Sequence, residues 1–266
     1  MKQKFTFIFV LAILHGAISS VSSQTLDHYI YLPVVTNPVV VMEPPYDMVL
    51  FMADEISGYG TLYEVQHSDG SQVRHQTQIE SYRFFHTKGN EISAEWEELW
   101  YTDQFIYRGT DTSPGSGLYY TLRDNGQYGS KWAPRYWDVG DIYERSPNVT
   151  FYRKDDCVPQ FGGIQRTWLR FEAYYPRYTF PSNITLYNVV QFAWLLNLAD
   201  PPIERYFYAQ GYGLVQWESS DGRGMSYISE IHAPGARPNN TREPLPCLDT
   251  SGISPAGLPK PFLYAK

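Results

Sequence analysis

The stretch Glu204-Arg-Tyr-Phe-Tyr-Ala-Gln-Gly-Tyr-Gly-Leu-Val-Gln-Trp-Glu218 decides the fold. Tyr206 and Tyr208 alternate with Phe207 and Ala209, and Leu214–Trp217 resumes a β-favouring run. Gly211 and Gly213 punctuate the two runs. Glycines so placed mark a bulge or a close backbone approach, where a sheet bends. The reading is two β-strands joined at a bend.

The same alternation extends outward through the chain. Met48-Val-Leu-Phe-Met52 reads as a buried first strand, and Val73–His86 as one long strand after a turn at Gly70-Ser-Gln. Gly89-Asn90 is a turn. Trp96–Tyr101 and Phe105–Thr110 form a hairpin around Thr102-Asp-Gln104, although Glu95, Glu97 and Glu98 would also suit a helix carrying Trp96, Leu99 and Trp100 on one face. Leu118–Arg123 runs into an Asp124-Asn-Gly126 hairpin turn. Val149–Lys154, Trp168–Tyr175, Tyr187–Leu196 and Ile228–His232 are further strands. The expected class is all-β: a single strongly curved antiparallel sheet, half-barrel or barrel-like, with few or no helices. Trp96 or Trp100, Phe171, Phe192 and Leu214 are expected in its core.

The N-terminus has the three-part layout of a secretory signal peptide. Lys2 and Lys4 precede an apolar run, Phe5–Leu14, and then small residues with Val21 and Ser23 placed for cleavage before Gln24. The apolar run is too short to span about 30 Å of hydrocarbon. No later segment approaches the ~18 uninterrupted apolar residues of a spanning helix, so no membrane insertion is expected. The expected organisation is a signal peptide over 1–23, an extended proline-rich leader over 24–45, one β domain over 46–233, and a proline-rich tail over 234–266. Loss of Lys2 and Lys4 takes the formal charge from −7 to −9. An acidic chain without basic clusters offers nothing to neutralise phosphates, which argues against nucleic acid as a partner. The two cysteines, Cys157 and Cys247, are expected to pair in an exported chain and tether the tail. Asn148, Asn183 and Asn239 begin N-x-T sequons, which carry glycans only in a eukaryotic host.

No catalytic signature stands out. Glycoside hydrolysis needs two facing carboxyl groups, and Glu95, Glu97, Glu98, Asp103, Asp111, Asp141, Glu204 and Glu218 are the candidates. With 28 acidic residues, such pairs also arise by chance on solvated strand faces. There is no G-x-S-x-G nucleophile elbow, and Asp111-Thr-Ser-Pro-Gly115 reads as a turn. Neither H-x-H nor H-E-x-x-H occurs, and no cofactor is expected; Asp155 and Asp156 are at most a turn-borne calcium site. The most site-like patch is Trp132-Ala-Pro-Arg-Tyr-Trp137 with Asp141 and Tyr143. Its rings would stack on a sugar, with Arg135 and Asp141 binding hydroxyls. The competing reading makes Trp132 and Trp137 core plugs.

Tyr206–Glu218 resembles the Y-x-Y-A-x-G-x-G-L-V-x-W-E strand pair of exported bacterial β proteins of uncharacterised function. More distantly its G-x-G-L-V string is similar to that of periplasmic lipoprotein-carrier-like domains. Tyr29-Ile-Tyr-Leu-Pro-Val-Val35 resembles the I-Y-L-P-[VL]-[VL] segment that follows the signal peptide in exported bacterial proteins. These resemblances imply a secreted or surface half-barrel around an apolar groove and carry over no catalytic residue. The expectation is a secreted, non-catalytic binding or surface protein whose aromatic-lined concavity takes a glycan or an apolar molecule. The alternatives are a carbohydrate-active hydrolase with paired carboxylates and a structural envelope component.

Overall fold

The computed structural model describes residues 41–52, 59–80, 83–90, 93–113, 115, 117–222, 224–237 and 241–245. All lie in one unit spanning Val41–Lys266; the expected signal peptide and most of the expected leader fall in the other, Met1–Val40, outside the described residues.

Alternating residues with a strand-favouring bias build strands β1 (Tyr46–Asp47), β2 (Tyr63–His67), β3 (Gln72–Glu80), β4 (Arg83–Lys88), β5 (Ser93–Tyr101) and β6 (Phe105–Asp111). Then follow β7 (Leu118–Asp124), β8 (Gln127–Tyr128), β9 (Ser130–Pro134), β10 (Tyr136–Trp137), β11 (Ile142–Arg145), β12 (Asn148–Arg153) and β13 (Pro159–Ile164). The last are β14 (Thr167–Thr179), β15 (Thr185–Leu195), β16 (Glu204–Ala209), β17 (Gly213–Ser219), β18 (Met225–Ile231) and β19 (Thr241–Arg242). Seventeen of these strands form one sheet, and β1 pairs separately with β10. The chain is all-β, and the pairings are antiparallel apart from the short β19–β5 ladder.

The sheet has two arms that meet where β2 pairs with β18. One arm runs β2–β3–β4–β5–β6, and the far edge of β6 is shared, with Phe105–Arg108 on β9 and Thr110–Asp111 on β7. The β7 strand continues the arm to β12 and β13. The other runs β18–β17–β16–β15–β14–β11. The sheet does not close on itself, and the strong curl expected from the glycines is not established.

Two strand assignments change. Met48–Met52 is not a strand: Val49–Met52 is a short helix, α1, whose first N–H donates to Asp47 Oδ1 at 3.1 Å as an N-terminal cap. Met48 and Phe51 are fully buried, so this apolar segment works as a plug rather than a ladder partner. Val73–His86 is two strands, β3 and β4, paired back to back through Glu80↔Arg83. The glutamate-rich segment is strand β5, not helix. The Asp124–Gly126 turn is a hairpin with Asn125 at φ 48° and Gly126 at φ 79°, the left-handed pair that two-residue hairpins need.

The main core gathers side chains from both arms around α1: Phe84, Leu99 and Ile106 from one, Leu169, Phe171, Val190, Phe192 and Tyr208 from the other. Leu214 packs partly buried against it. A second cluster centres on Tyr63, Val189, Phe207 and Val215. Trp96 belongs to a third, where Leu245 of the tail covers it together with Phe85 and Tyr119.

Candidate binding site

The five residues read as a glycan platform do not form one. Trp132 and Trp137 are 5% and 3% exposed, and both sit in the main core. The Trp137 ring stacks on Phe192 at 5.2 Å, and Trp132 meets Phe192 and Tyr208 edge-on. Neither indole offers a face to solvent, and the core-plug reading accounts for both, because large rings gain most from burial. Arg135 is turned to Asp47, with Nη2 donating to Oδ2 at 2.8 Å, and so ties β10 to the start of α1. Asp141 accepts from the Asp138 backbone N–H in a local turn. Tyr143 lies partly buried against Phe105, 5.9 Å between ring centres.

The carboxylate candidates scatter as well. Glu95 pairs with Lys154, Glu218 accepts from Gln216, and Glu204 accepts from the Tyr206 hydroxyl. Glu98 is buried between Arg83 and the Tyr128 hydroxyl, and burial pushes its carboxyl up despite both partners. Asp155 and Asp156 lie against Arg153, and no cluster of three metal-ligating residues occurs among the described residues. Asn148 and Asn183 are exposed; Asn239 lies outside the described residues. Cys157 is not a free thiol, and its expected partner Cys247 also lies outside the described residues.

Glu97 and Asp111 alone among the acidic candidates come together. They face each other across the β5–β6 ladder, both on the Arg108 guanidinium. Asp111 also accepts from the Tyr120 hydroxyl at 2.9 Å and from both the N–H and the hydroxyl of Ser113. Burial would raise the two acids, but Arg108 and then Lys88 outweigh it: Glu97 is lowered and Asp111 is held at about 2. Both are ionised at neutral pH. A hydrolase acid must keep its proton near the working pH, so this pair is poorly suited to that chemistry.

Further side chains join Arg108 on the same face. Tyr206, Tyr208, Tyr120 and Arg108 all lie within electrostatic range of Arg145 at the end of β11. Burial raises the three tyrosine hydroxyls above their ordinary range, so they stay neutral. Tyr206 and Tyr208 point from the strand that the sequence singled out; Arg108, Tyr120 and Arg145 went unnoticed there. Arg145 had one readable signal. It shares the strand phase of Tyr143, whose opposite residue Leu169 is fully buried, so a cation occupies an apolar position.

Three N–H donors on the core-facing side of the sheet are buried without an acceptor among the described residues: Arg108 Nε, Arg145 Nε and Trp194 Nε1. Trp194 stands beside Leu169 and Glu204 in the ladder of the second arm. Buried donors are seldom left unpaired, because each costs roughly 1–3 kcal/mol.

No protein-family model matches the chain, and comparison with curated proteins finds no match either. Among solved structures it is similar to the crystal structure, at 2.70 Å, of a "putative lipoprotein" from Parabacteroides distasonis. That match has 12% identity and a TM-score of 0.39, and covers 72% of this chain and all of the other. No helix among the described residues is long and apolar enough to cross a membrane.

Proposed function

We propose that this is an exported, non-catalytic binding protein that holds a small ligand on the α1-bearing face, where Arg108, Tyr120, Trp194 and Tyr206 come from opposite arms of the sheet. One observation carries the reading: donors are left without acceptors there, while the neighbouring Glu97, Asp111 and Glu204 carboxylates and the Tyr120 and Tyr206 hydroxyls are paired. Ligand sites are mostly aromatic and apolar with a few convergent polar groups, which is the composition of this face. A glycan suits it, since ring faces stack on Trp194 and Tyr206 and sugar oxygens accept from the free N–H groups. The hydrolase alternative gains nothing from Glu97 and Asp111, both held ionised by one arginine. Export rests on the N-terminal signal sequence, and Edman sequencing of secreted protein should begin at Gln24.

The test is a glycan array probed with wild-type protein and with Trp194→Phe, which keeps an aromatic face and loses the unpaired Nε1 donor. Binding in the wild type that weakens in this variant at a nearly unchanged melting temperature is expected. A wild-type protein that retains no glycan on the array and no co-purifying molecule in native mass spectrometry would sink the reading.

A further inference from the structure

The geometry points to Arg145 as the anchor for an oxyanion, a carboxylate, phosphate or sulfate group of the ligand held on this face. The inference rests on the binding reading above and deepens it by naming the charge of the ligand. Each of the other described arginines that is not exposed, from Arg74 on β3 to Arg242 on β19, lies within ion-pair distance of a carboxylate. Among the described residues the Arg145 side chain has neither a carboxylate at that distance nor a hydrogen bond, and its Nε is shielded from solvent.

Its neighbours do not supply the missing charge. Tyr120, Tyr206 and Tyr208 are neutral, and Arg108 is a second cation already bridged to Glu97 and Asp111. Glu204 takes the Tyr206 hydroxyl and stays beyond ion-pair distance from Arg145. Burial first, and Arg108 with it, pushes the Arg145 guanidinium down to about 10, so it remains charged at neutral pH without a counterion. A sheltered, uncompensated cation is costly to a fold and is typical of a site whose partner arrives from outside. The planar guanidinium matches two oxygens of one anion, and Arg108 Nε stands free to donate a further bond.

The oxyanion could come from an acidic sugar or from an amphiphile, and matched pairs separate the two. Calorimetry with the secreted protein would compare D-glucuronate with D-glucose and decanoate with decanol, with inorganic phosphate as the bare anion. At least one anion should bind roughly 10- to 100-fold tighter than its neutral partner, the range for a hydrogen bond to a charged group. Added salt should weaken it, and Arg145→Gln should remove the difference. The pair that shows the preference identifies the source. Arg145→Met supplies a second readout: with no ion pair to lose, it should raise the melting temperature by about 2–4 °C or more.

Neutral partners that bind as tightly as the anions would overturn the oxyanion and leave the binding reading standing. Anion binding that survives in Arg145→Gln, or a lower melting temperature in Arg145→Met, would remove Arg145 from the site. If none of the five probes binds, the oxyanion inference falls, and the glycan array decides the broader reading by itself.

Discussion

Mild acid should destabilise this protein through one pair of histidines. His75 on β3 and His86 on β4 are 6% and 3% exposed and share a hydrogen bond, Nδ1 to Nε2, of 3.0 Å. The other ring nitrogen of His86 meets Thr77 Oγ1 at 3.3 Å. Burial lowers His86 to about 4, with Lys88 and Arg108 adding to it and Glu97 and Asp111 opposing. His75 is pushed well below its ordinary value by burial and then by His86, Lys88 and His67. Both rings are therefore neutral when folded at pH ~7 and take up protons readily only when unfolded. Their contribution is complete above the unfolded value of about 6.5 and is lost as pH falls toward the folded one.

For His86 alone, a drop from 6.5 to about 4 is worth roughly 3 kcal/mol at full extent. At pH ~5 about 2 kcal/mol of it is gone, and His75 acts in the same direction. In a chain of this size that lowers the melting temperature by about 4–8 °C. Buried acids near the pair respond to acidification as well. The lowered Glu97 and Asp111 act only as pH falls below their unfolded values of about 4. Glu98 is raised, so its protonation favours the fold on acidification and offsets part of the histidine effect. A His75→Leu/His86→Leu double variant isolates the pair. Urea unfolding followed by tryptophan fluorescence would be run on both proteins at pH ~7.5 and ~5. The loss between the two pH values should shrink by about 2 kcal/mol or more in the variant, whatever its absolute stability. An identical loss in both proteins would refute the argument.

Three further outcomes are expected. Trp137→Ala should cost about 3–5 kcal/mol in chemical denaturation, as for other buried large-to-small changes; a nearly unchanged midpoint would contradict its place in the core. Gly213 has φ 93°, and a Cβ there would stand 3.4 Å from the Met52 carbonyl oxygen, so Gly213→Ala should cost about 1–3 kcal/mol. The bend is an ordinary strand if thermal scans of Gly213→Ala and of Gly211→Ala, at φ 78°, both match wild type. If Cys157 pairs with Cys247, reduction should cost about 4–5 kcal/mol, and non-reducing peptide mapping should recover one linked peptide rather than two free thiols.

Where local chemistry decides structure, the sequence was a good guide. Asp124-Asn-Gly126 demands a tight hairpin whatever surrounds it, and one is present. Where a partner decides, it misled. Met48–Met52 has strand-like residues, but among the described residues no strand forms a ladder with Val49–Met52, so an apolar run too short to be a stable helix alone becomes one inside the core. Pro159-Gln-Phe-Gly-Gly163 is not among the expected strands, yet it is most of β13, because proline is tolerated at the start of an edge strand and β12 is its one described partner. The expected site failed for the opposite reason. Trp132, Arg135 and Trp137 are neighbours along the chain, but β9 and β10 turn both indoles into the main core and Arg135, between those strands, is taken by Asp47. The residues that do converge lie on β5, β6, β7, β11, β15 and β16, and no window of sequence contains them together.

The backbone device that assembles them is the bulge between Glu97 and Leu99. From Tyr101↔Ile106 to Leu99↔Arg108 the β5–β6 ladder is regular, and continued unbroken it would set Thr110 opposite Glu97. The bulge advances β6 by one residue, so Asp111 takes that place. Gly109 lies between, where a Cβ would come within 2.6 Å of the Tyr128 hydroxyl and 2.8 Å of the Trp100 ring. Two carboxylates set directly opposite each other repel, and this pair persists because Arg108 bridges them. The bridge acts in the other direction too: two anions hold the guanidinium by one nitrogen, Nη2, and leave its Nε without an acceptor. A bulge, a glycine and a repulsive pair are an expensive way to make a stable sheet. They are an effective way to fix the position of an arginine that has a donor to spare beside Arg145.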